Sequence, residues 1–168
     1  MNYLILIIIG IASRLLPHLP NFTTIGALSL FSGFYLKKKT SFIVPLAVMI
    51  ISDIFLGFYN IWLMVFVYLS ILLSILLGIW LKKRKTWYNI AAFSVFSAVS
   101  FFLITNFAVW LFTPWYEKTF SGLVLCYFLG LPFLRNDILG NAFYTAVFFA
   151  AFELIFARKP KLKYELGK

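Results

Sequence analysis

The sequence predicts an all-α integral membrane protein, a bundle of six transmembrane helices. Hydrophobic residues make up 63% of its 168 residues and charged residues 12%, whereas soluble domains average about 45–50% and about 25%. A globular domain of this length still exposes roughly a third of its surface, so lipid must cover much of the apolar side chain. Long apolar segments that alternate with short basic runs are the second observation that predicts this class.

Six apolar segments account for the predicted spans. A helix needs roughly 17–25 mostly apolar residues to cross about 30 Å of hydrocarbon, and the first two segments are short by this measure. We expect a single transmembrane domain over residues 1–168, with spans at about 2–16, 22–36, 41–58, 61–81, 87–112 and 138–157. Small residues such as Gly10, Gly26 and Gly33 favour close approach of the helices in the first hairpin.

The last apolar stretch, residues 120–157, is too long for one span. Arg135, Asn136 and Asp137 interrupt it. We therefore expect residues 115–134 to form an outer loop that contains a short, partly embedded helix, with the sixth span after it. A seventh span would move the basic tail to the other side of the membrane.

Basic residues predict the orientation. Three runs, Lys37–Lys39, Lys82–Lys85 and Arg158–Lys168, hold most of the 15 Lys and Arg residues. With six spans all three runs fall on one side, and loops rich in Lys and Arg remain in the cytoplasm. We expect a multi-pass protein of the cell inner (plasma) membrane with both termini cytoplasmic and the lipid bilayer as its immediate partner.

Polar residues collect at the opposite, outer level of the predicted bundle. They come from the first loop, from the outer ends of helices 3, 5 and 6, and from the fifth connection. The predicted outward-facing substrate-binding pocket comprises Arg14, His18, Asn21, Thr23, Asp53, Asn106, Trp110, Tyr116, Asn136, Asp137 and Asn141.

Arg14 and Asp53 are expected to form a pair. An ionisable group within a span costs about 2.5–3.5 kcal/mol on insertion scales, so Asp53 should face a partner, and Arg14 lies at similar depth. The pair either only clamps helices 1 and 3 together or also lines a cavity.

The other candidates have two interpretations each. A lone loop histidine such as His18 is either solvated or contacts a ligand. Trp110 and Tyr116 either belong to an interfacial aromatic belt or stack on a flat ligand. The amide of Asn106 needs a partner from protein or ligand. Glu153 is expected to reach towards Arg158 or a lysine.

Composition excludes several classes of function. The net charge of +10 does not indicate nucleic-acid binding, because the basic residues cluster at segment ends and not on one face. A single histidine cannot supply the HExxH pair of a zinc protease, and a single cysteine, Cys126, cannot form an intrachain disulfide. We expect no enzymatic activity, no cofactor and no resident metal.

Four blocks carry a resemblance to a known family: RLLPHLPNFTTIGALSLFSG, SDIFLGFY, FFLITNFAVW and GLVLCYFLGLPFLRNDILGN. They resemble a bacterial family of uncharacterised transport proteins, which is itself similar to the substrate-binding S components of energy-coupling-factor (ECF) vitamin transporters. The resemblance implies a six-helix fold, cytoplasmic termini, an outward-facing site closed by the first loop, and partnership with an ECF-type coupling subunit and its ATPases. It departs at helix 1, where Gly10, Ala12 and Ser13 stand in place of the Ala-xxx-Ala signature of many S components.

Two functions from different classes follow. The first is a transport component that binds a small vitamin-like or chelate molecule in the outer pocket and delivers it inward. The second is a non-transporting membrane scaffold or assembly protein, whose polar residues only pair helices with each other.

Overall fold

The computed structural model describes residues 3–157, without the side chains of residues 38, 156 and 157, so the predicted basic tail from Arg158 lies outside the described residues. Within this range the chain is helical and contains no strand. The helices are α1 (Tyr3–Leu15), α2 (Ile25–Tyr35), α3 (Lys38–Leu56), α4 (Ile61–Leu81), a 3₁₀ turn (Lys82–Arg84), α5 (Trp87–Phe112) and α6 (Phe120–Ala157).

Four of the described helices are long and apolar enough to cross a membrane. Their apolar stretches are Lys39–Leu56, Ile61–Arg84, Trp87–Phe112 and Phe120–Ile155. Helices α1 and α2 are apolar but have only 13 and 11 residues. Large apolar side chains such as Phe55, Trp87 and Phe120 lie exposed on the outside of the bundle, where only lipid can cover them. The predicted all-helical membrane protein is confirmed.

Helix α6 corrects the prediction for the end of the chain. The prediction of a separate short helix before a sixth span is wrong, because Phe120–Ala157 is one helix of 38 residues. This helix is about 57 Å long. Arg135, Asn136 and Asp137 lower the hydropathy but do not oppose helical backbone geometry. Even Pro132 lies inside the helix, since leaving the helix would expose further backbone groups.

Helix α2 is the centre of the bundle and contacts α3, α4, α5 and α6. Nine of its 11 residues are buried. At Gly33 its backbone touches α4, because an added Cβ would lie 2.1 Å from the Ile75 carbonyl oxygen; a Cβ on Gly78 would lie equally close to the Leu30 carbonyl oxygen. Gly33 therefore packs against α4 and not within the first hairpin, where α1 and α2 make few contacts.

Side-chain contacts fix the two ends of the bundle. At the end that carries the first loop, Asn60 caps α4 and donates from Nδ2 to the Phe112 carbonyl oxygen at 3.3 Å. At the other end, which we call the lysine end, Tyr35 donates to Glu153 at 2.6 Å and Lys85 forms an ion pair with the same carboxylate. Glu153 was expected to reach either Arg158 or a lysine, and its partner here is a lysine.

Candidate functional site

The first loop, residues 16–24, is shaped by a tight turn at Leu19–Phe22. The Phe22 N–H donates to the Leu19 carbonyl oxygen at 2.9 Å, and Asn21 has a φ of +62°. Pro at the second position of a turn and a residue with positive φ at the third are the requirements of a type II turn. Pro20 presets its own φ and Asn tolerates the left-handed region, so the sequence Leu-Pro-Asn-Phe specifies this local structure.

Helix α6 holds the loop in place. Asn136 donates from Nδ2 to the Pro20 carbonyl oxygen at 3.1 Å. The Phe22 ring packs on Phe143 and Tyr144, with ring centroids 6.3 and 5.6 Å apart. Gly140 allows this contact, because an added Cβ there would lie 3.2 Å from the Phe22 Cα atom. The loop is thus tied to α6 on both sides of its turn.

A cavity of about 470 Å³ lies beneath the first loop and extends between the helices. The loop supplies Pro17, His18, Asn21 and Thr23 at its mouth. Helices α1 and α3 form one side, α6 forms the opposite side, and α2, α4 and α5 complete the walls between them. Its volume falls in the range of about 300–1,000 Å³ that is typical of small-molecule sites.

The side formed by α1 and α3 carries a compensated charge pair. Arg14 Nη2 donates to Asp53 Oδ1 at 2.8 Å, and Arg14 Nη1 donates to Ser52 Oγ. The second carboxylate oxygen of Asp53 accepts from the Tyr68 hydroxyl at 2.9 Å. Asp53 is only 1% exposed, and it lies behind Arg14, which itself lines the cavity. The predicted pair is therefore present, and it joins α1, α3 and α4.

The opposite side carries Asp137 and Asn141, one turn apart on α6. Both line the cavity and are 8% and 2% exposed. Asn141 Nδ2 donates to Asp137 Oδ1 at 2.8 Å. Among the described residues, Asp137 Oδ2 and Asn141 Oδ1 have no hydrogen-bond partner. Such an unsatisfied buried group costs about 1–3 kcal/mol, which makes this pair unlike the satisfied cluster across the cavity.

Two serines contribute the polar groups of α4 and α5. Ser74 and Ser97 both line the cavity, and their hydroxyl oxygens lie 2.7 Å apart. Ser74 also donates to the Ser70 carbonyl oxygen at 3.1 Å. Because each hydroxyl has one hydrogen, Ser97 must be the donor to Ser74. The remaining lining of these helices is apolar and includes Val67, Ile71 and Phe101.

The structure brings six of the eleven predicted site residues to this cavity. They are Arg14, His18, Asn21, Thr23, Asp137 and Asn141. Two more support its walls without lining it, because Asp53 holds Arg14 and Asn136 holds the loop.

Three predicted site residues lie elsewhere: Asn106, Trp110 and Tyr116. The Asn106 carbonyl accepts from Cys126 Sγ at 3.4 Å. Cys126 precedes Asn136, the residue that contacts the first loop, by ten residues of α6, which is a distance of about 15 Å. The second half of α5 therefore continues past the first loop together with the start of α6. There Trp110 Nε1 donates to the Glu117 carbonyl oxygen at 2.9 Å.

Sequence reasoning missed four residues that shape the site. Tyr68 completes the hydrogen bonding of Asp53, Met49 contacts Arg14 through its sulfur at 3.0 Å, and Ser74 and Ser97 line the cavity. The spacing of the serines is a signal in the sequence that could have identified Ser74 and Ser97. Ser70 and Ser74 lie one turn apart on α4, and Ser94 and Ser97 lie about one turn apart on α5, so each pair marks one polar face on an otherwise apolar helix.

The sequence matches a family of unknown function, DUF6580, over residues 1–163. The chain belongs to this family. Comparison with curated proteins found no match, and neither did comparison with solved structures. For this DUF6580 protein the functional argument therefore comes from the site.

The groups around the DUF6580 cavity are apolar side chains with a few polar ones. Within residues 3–157 the structure shows no group of three or more His, Cys, Asp or Glu side chains arranged to hold a metal ion. Cys126, the single cysteine, is buried between α6 and α5. What the cavity offers is an apolar body with polar groups on separate sides, which is the usual composition of a site that binds and orients a small molecule.

Proposed function

We propose that the protein is a membrane transport component that captures a small molecule in the cavity beneath the first loop and delivers it inward. The observation that carries the proposal is the cavity of about 470 Å³ with Asp137 and Asn141 on one side and Arg14 on the other. Asp137 and Asn141 line this cavity and each has a buried oxygen without a partner among the described residues, which a bound molecule would satisfy.

The proposed topology has six spans with both termini in the cytoplasm of the cell and the first loop outside. Helices α1 and α2 are about 20 and 17 Å long, so we propose that they reach into the membrane with the first loop recessed between them. Lys37, Lys82 and Lys85 lie at the lysine end, opposite that loop, which supports a cytoplasmic location for that end.

The fold and partners that we propose are those of an ECF S component. A loop between the first two helices that covers a site within six helices supports this assignment. Delivery would then use an ECF-type coupling subunit and its ATPases. Gly10, Ala12 and Ser13 on α1 differ from the Ala-xxx-Ala docking signature, so the contact with such a subunit would have a different surface.

The test is whether the purified protein holds a small molecule in this cavity. Protein in lipid nanodiscs would be denatured and its released molecules identified by mass spectrometry, with thermal unfolding measured before and after extraction. The variant Ser97→Leu fills the cavity and should lose the molecule. Val95→Leu changes an exposed residue of the same helix and should retain it. The proposal fails if wild type and Ser97→Leu release the same molecules in the same amounts.

A second candidate is a non-transporting membrane scaffold or assembly protein. The cluster of Arg14, Ser52, Asp53 and Tyr68 favours it, because these groups satisfy one another and join three helices. Capture of a stable protein partner in the membrane, together with absence of any bound small molecule, would support this function over transport.

A further inference from the structure

We infer that the cavity selects a small organic cation, a molecule with an apolar body and a protonated amine whose N–H groups bind at Asp137 and Asn141. This inference rests on the proposed function and names the class of ligand for the same cavity. Its basis is an aspartate of the cavity wall that has no cation beside it among residues 3–157, and whose second oxygen, like the carbonyl oxygen of Asn141, has no hydrogen-bond partner there.

The positive charge of Arg14 already has its counter-charge. Arg14 forms an ion pair with Asp53 through Nη2 and directs Nη1 to Ser52 and Met49. An anionic ligand would have to compete with this buried carboxylate, which also accepts a hydrogen bond from Tyr68. The α1–α3 side is therefore electrically neutral as folded.

The α6 side carries a carboxylate without a cation. Within residues 3–157 the ion pairs are Arg14–Asp53 and Lys85–Glu153, so Asp137 is not paired. The amide of Asn141 is oriented by this carboxylate, because a carboxylate can only accept, and Asn141 must turn its NH₂ group towards it. Its carbonyl oxygen then remains as a second acceptor without a partner among the described residues, as does Oδ2 of Asp137. A protonated amine supplies both missing features, a positive charge and more than one N–H donor.

Two serines of the lining also present acceptors. Ser97 donates to Ser74 and Ser74 donates to the Ser70 carbonyl oxygen, so both hydroxyl hydrogens are used within the protein. Acceptors at these serines and on α6 disfavour carboxylate or phosphate ligands, which bring only acceptors of their own.

Gly26 sets the space around the amide. Gly26 lies at the start of α2, and a Cβ added there would be 2.4 Å from Asn141 Oδ1. Only glycine at this position therefore leaves the Asn141 amide where it is. The apolar surface of Met49, Ile71 and Phe101 completes a site for an amine that carries an aromatic or aliphatic body.

The test is a comparison of matched probes on the wild-type protein in nanodiscs. Each aryl-alkyl amine, such as tryptamine or phenethylamine, would be measured beside the alcohol and the carboxylate with the same ring, by thermal shift and by calorimetry. We expect amines to bind at least about tenfold more tightly than their neutral and anionic counterparts, because a hydrogen bond to a charged partner is stronger than a neutral one.

Variants of α6 locate the effect. Asp137→Asn keeps the shape of the side chain and removes its charge, and it should weaken amine binding by about tenfold or more while leaving the alcohols unaffected. Glu153→Gln makes the same chemical change on the same helix at the lysine end and should leave amine binding unchanged.

Each other outcome overturns the inference in a distinct way. Preferred binding of carboxylates, or amine binding that Asp137→Asn does not weaken, refutes the choice of ligand class but leaves the proposed transport function standing. Binding of Na⁺ or K⁺ alone that Asp137→Asn removes, with no amine bound, assigns the site to an inorganic cation. Absence of binding by all three classes, in protein that also releases no co-purified molecule, refutes the proposed function and the inference with it.

Discussion

Two buried carboxylates lie on different sides of the cavity, Asp137 in its lining and Asp53 behind Arg14, and their oxygens are satisfied to different extents. Asp53 accepts from Arg14 and from Tyr68, so both of its oxygens have a partner. Asp137 has a partner for one oxygen, the amide of Asn141, and lacks one for the other. The difference teaches that burial alone does not separate the two carboxylates of this protein. The number of satisfied oxygens does, and it is the reason why we propose Asp137, and not Asp53, as a binding group.

The largest expected effect comes from Asp53→Asn. The change leaves Arg14, with a side chain only 15% exposed, without its counter-charge. Breaking a buried pair in this way costs about 3–5 kcal/mol, so the unfolding temperature in detergent should fall sharply and little folded protein should be recovered. The double variant Arg14→Met/Asp53→Asn should regain part of the loss. An unchanged unfolding temperature for Asp53→Asn would show that the pair is not a clamp.

Tyr68→Phe should have the next largest effect. It removes the donor to Asp53 Oδ2 and so gives Asp53 the same unsatisfied oxygen that Asp137 has. Hydrogen bonds to charged groups contribute about 1.5–3 kcal/mol, and the free energy of unfolding should fall by this amount. Tyr88→Phe, at a strongly exposed tyrosine, is the control and should be neutral. Equal stability of the two variants would contradict the hydrogen-bond argument.

Asp137→Asn should change stability in the opposite direction. In the protein without ligand it replaces a buried carboxyl group, whose charged form no cation among the described residues compensates, with a neutral amide, so we expect a stabilisation of about 1–2 kcal/mol. Thermal unfolding of ligand-free protein measures it directly against Asp53→Asn, the same chemical change across the cavity. A loss of stability would mean that Asp137 is structural, like Asp53, and that the contrast between the two carboxylates does not hold.

Asn136→Ala should have the smallest effect, confined to the first loop. It removes the hydrogen bond to the Pro20 carbonyl oxygen, which contributes about 0.5–1.5 kcal/mol. Hydrogen exchange at residues 18–22 should become faster, while exchange in α2 and α4 should not change. Arg135→Ala, at the exposed neighbouring position, is the control. Unchanged exchange in the first loop would assign its position to the packing of Phe22 alone.

The sequence predicted best where physical chemistry leaves one solution. Apolar composition and periodic charge predict membrane helices, and a buried Asp53 requires a partner that Arg14 can supply. These predictions depend on depth in the membrane, which can be read along one chain. The turn at Leu19–Phe22 was not predicted, although local backbone preferences specify it, and its hydrogen bond with Asn136 could not be read from the sequence.

Rotation about a helix axis and helix length are harder to predict. Asn106 and Trp110 were grouped with the first loop because both belong to the outer level, but α5 and α6 extend beyond the short α1 and α2. Ser74 and Ser97 were missed because a serine scarcely alters hydropathy. The end of α6 was mispredicted because the polar run at Arg135–Asp137 changes the environment of a helix without changing its backbone.

The backbone contact between Gly33 and Gly78 has a mechanical consequence. With each glycine pressed against a carbonyl oxygen of the opposite helix, α2 cannot slide along α4 without driving a larger neighbouring residue into that narrow gap. We therefore expect α2 and α4 to move together in any rearrangement of the bundle, so that the surfaces which can shift are those that α2 and α4 share with the other helices.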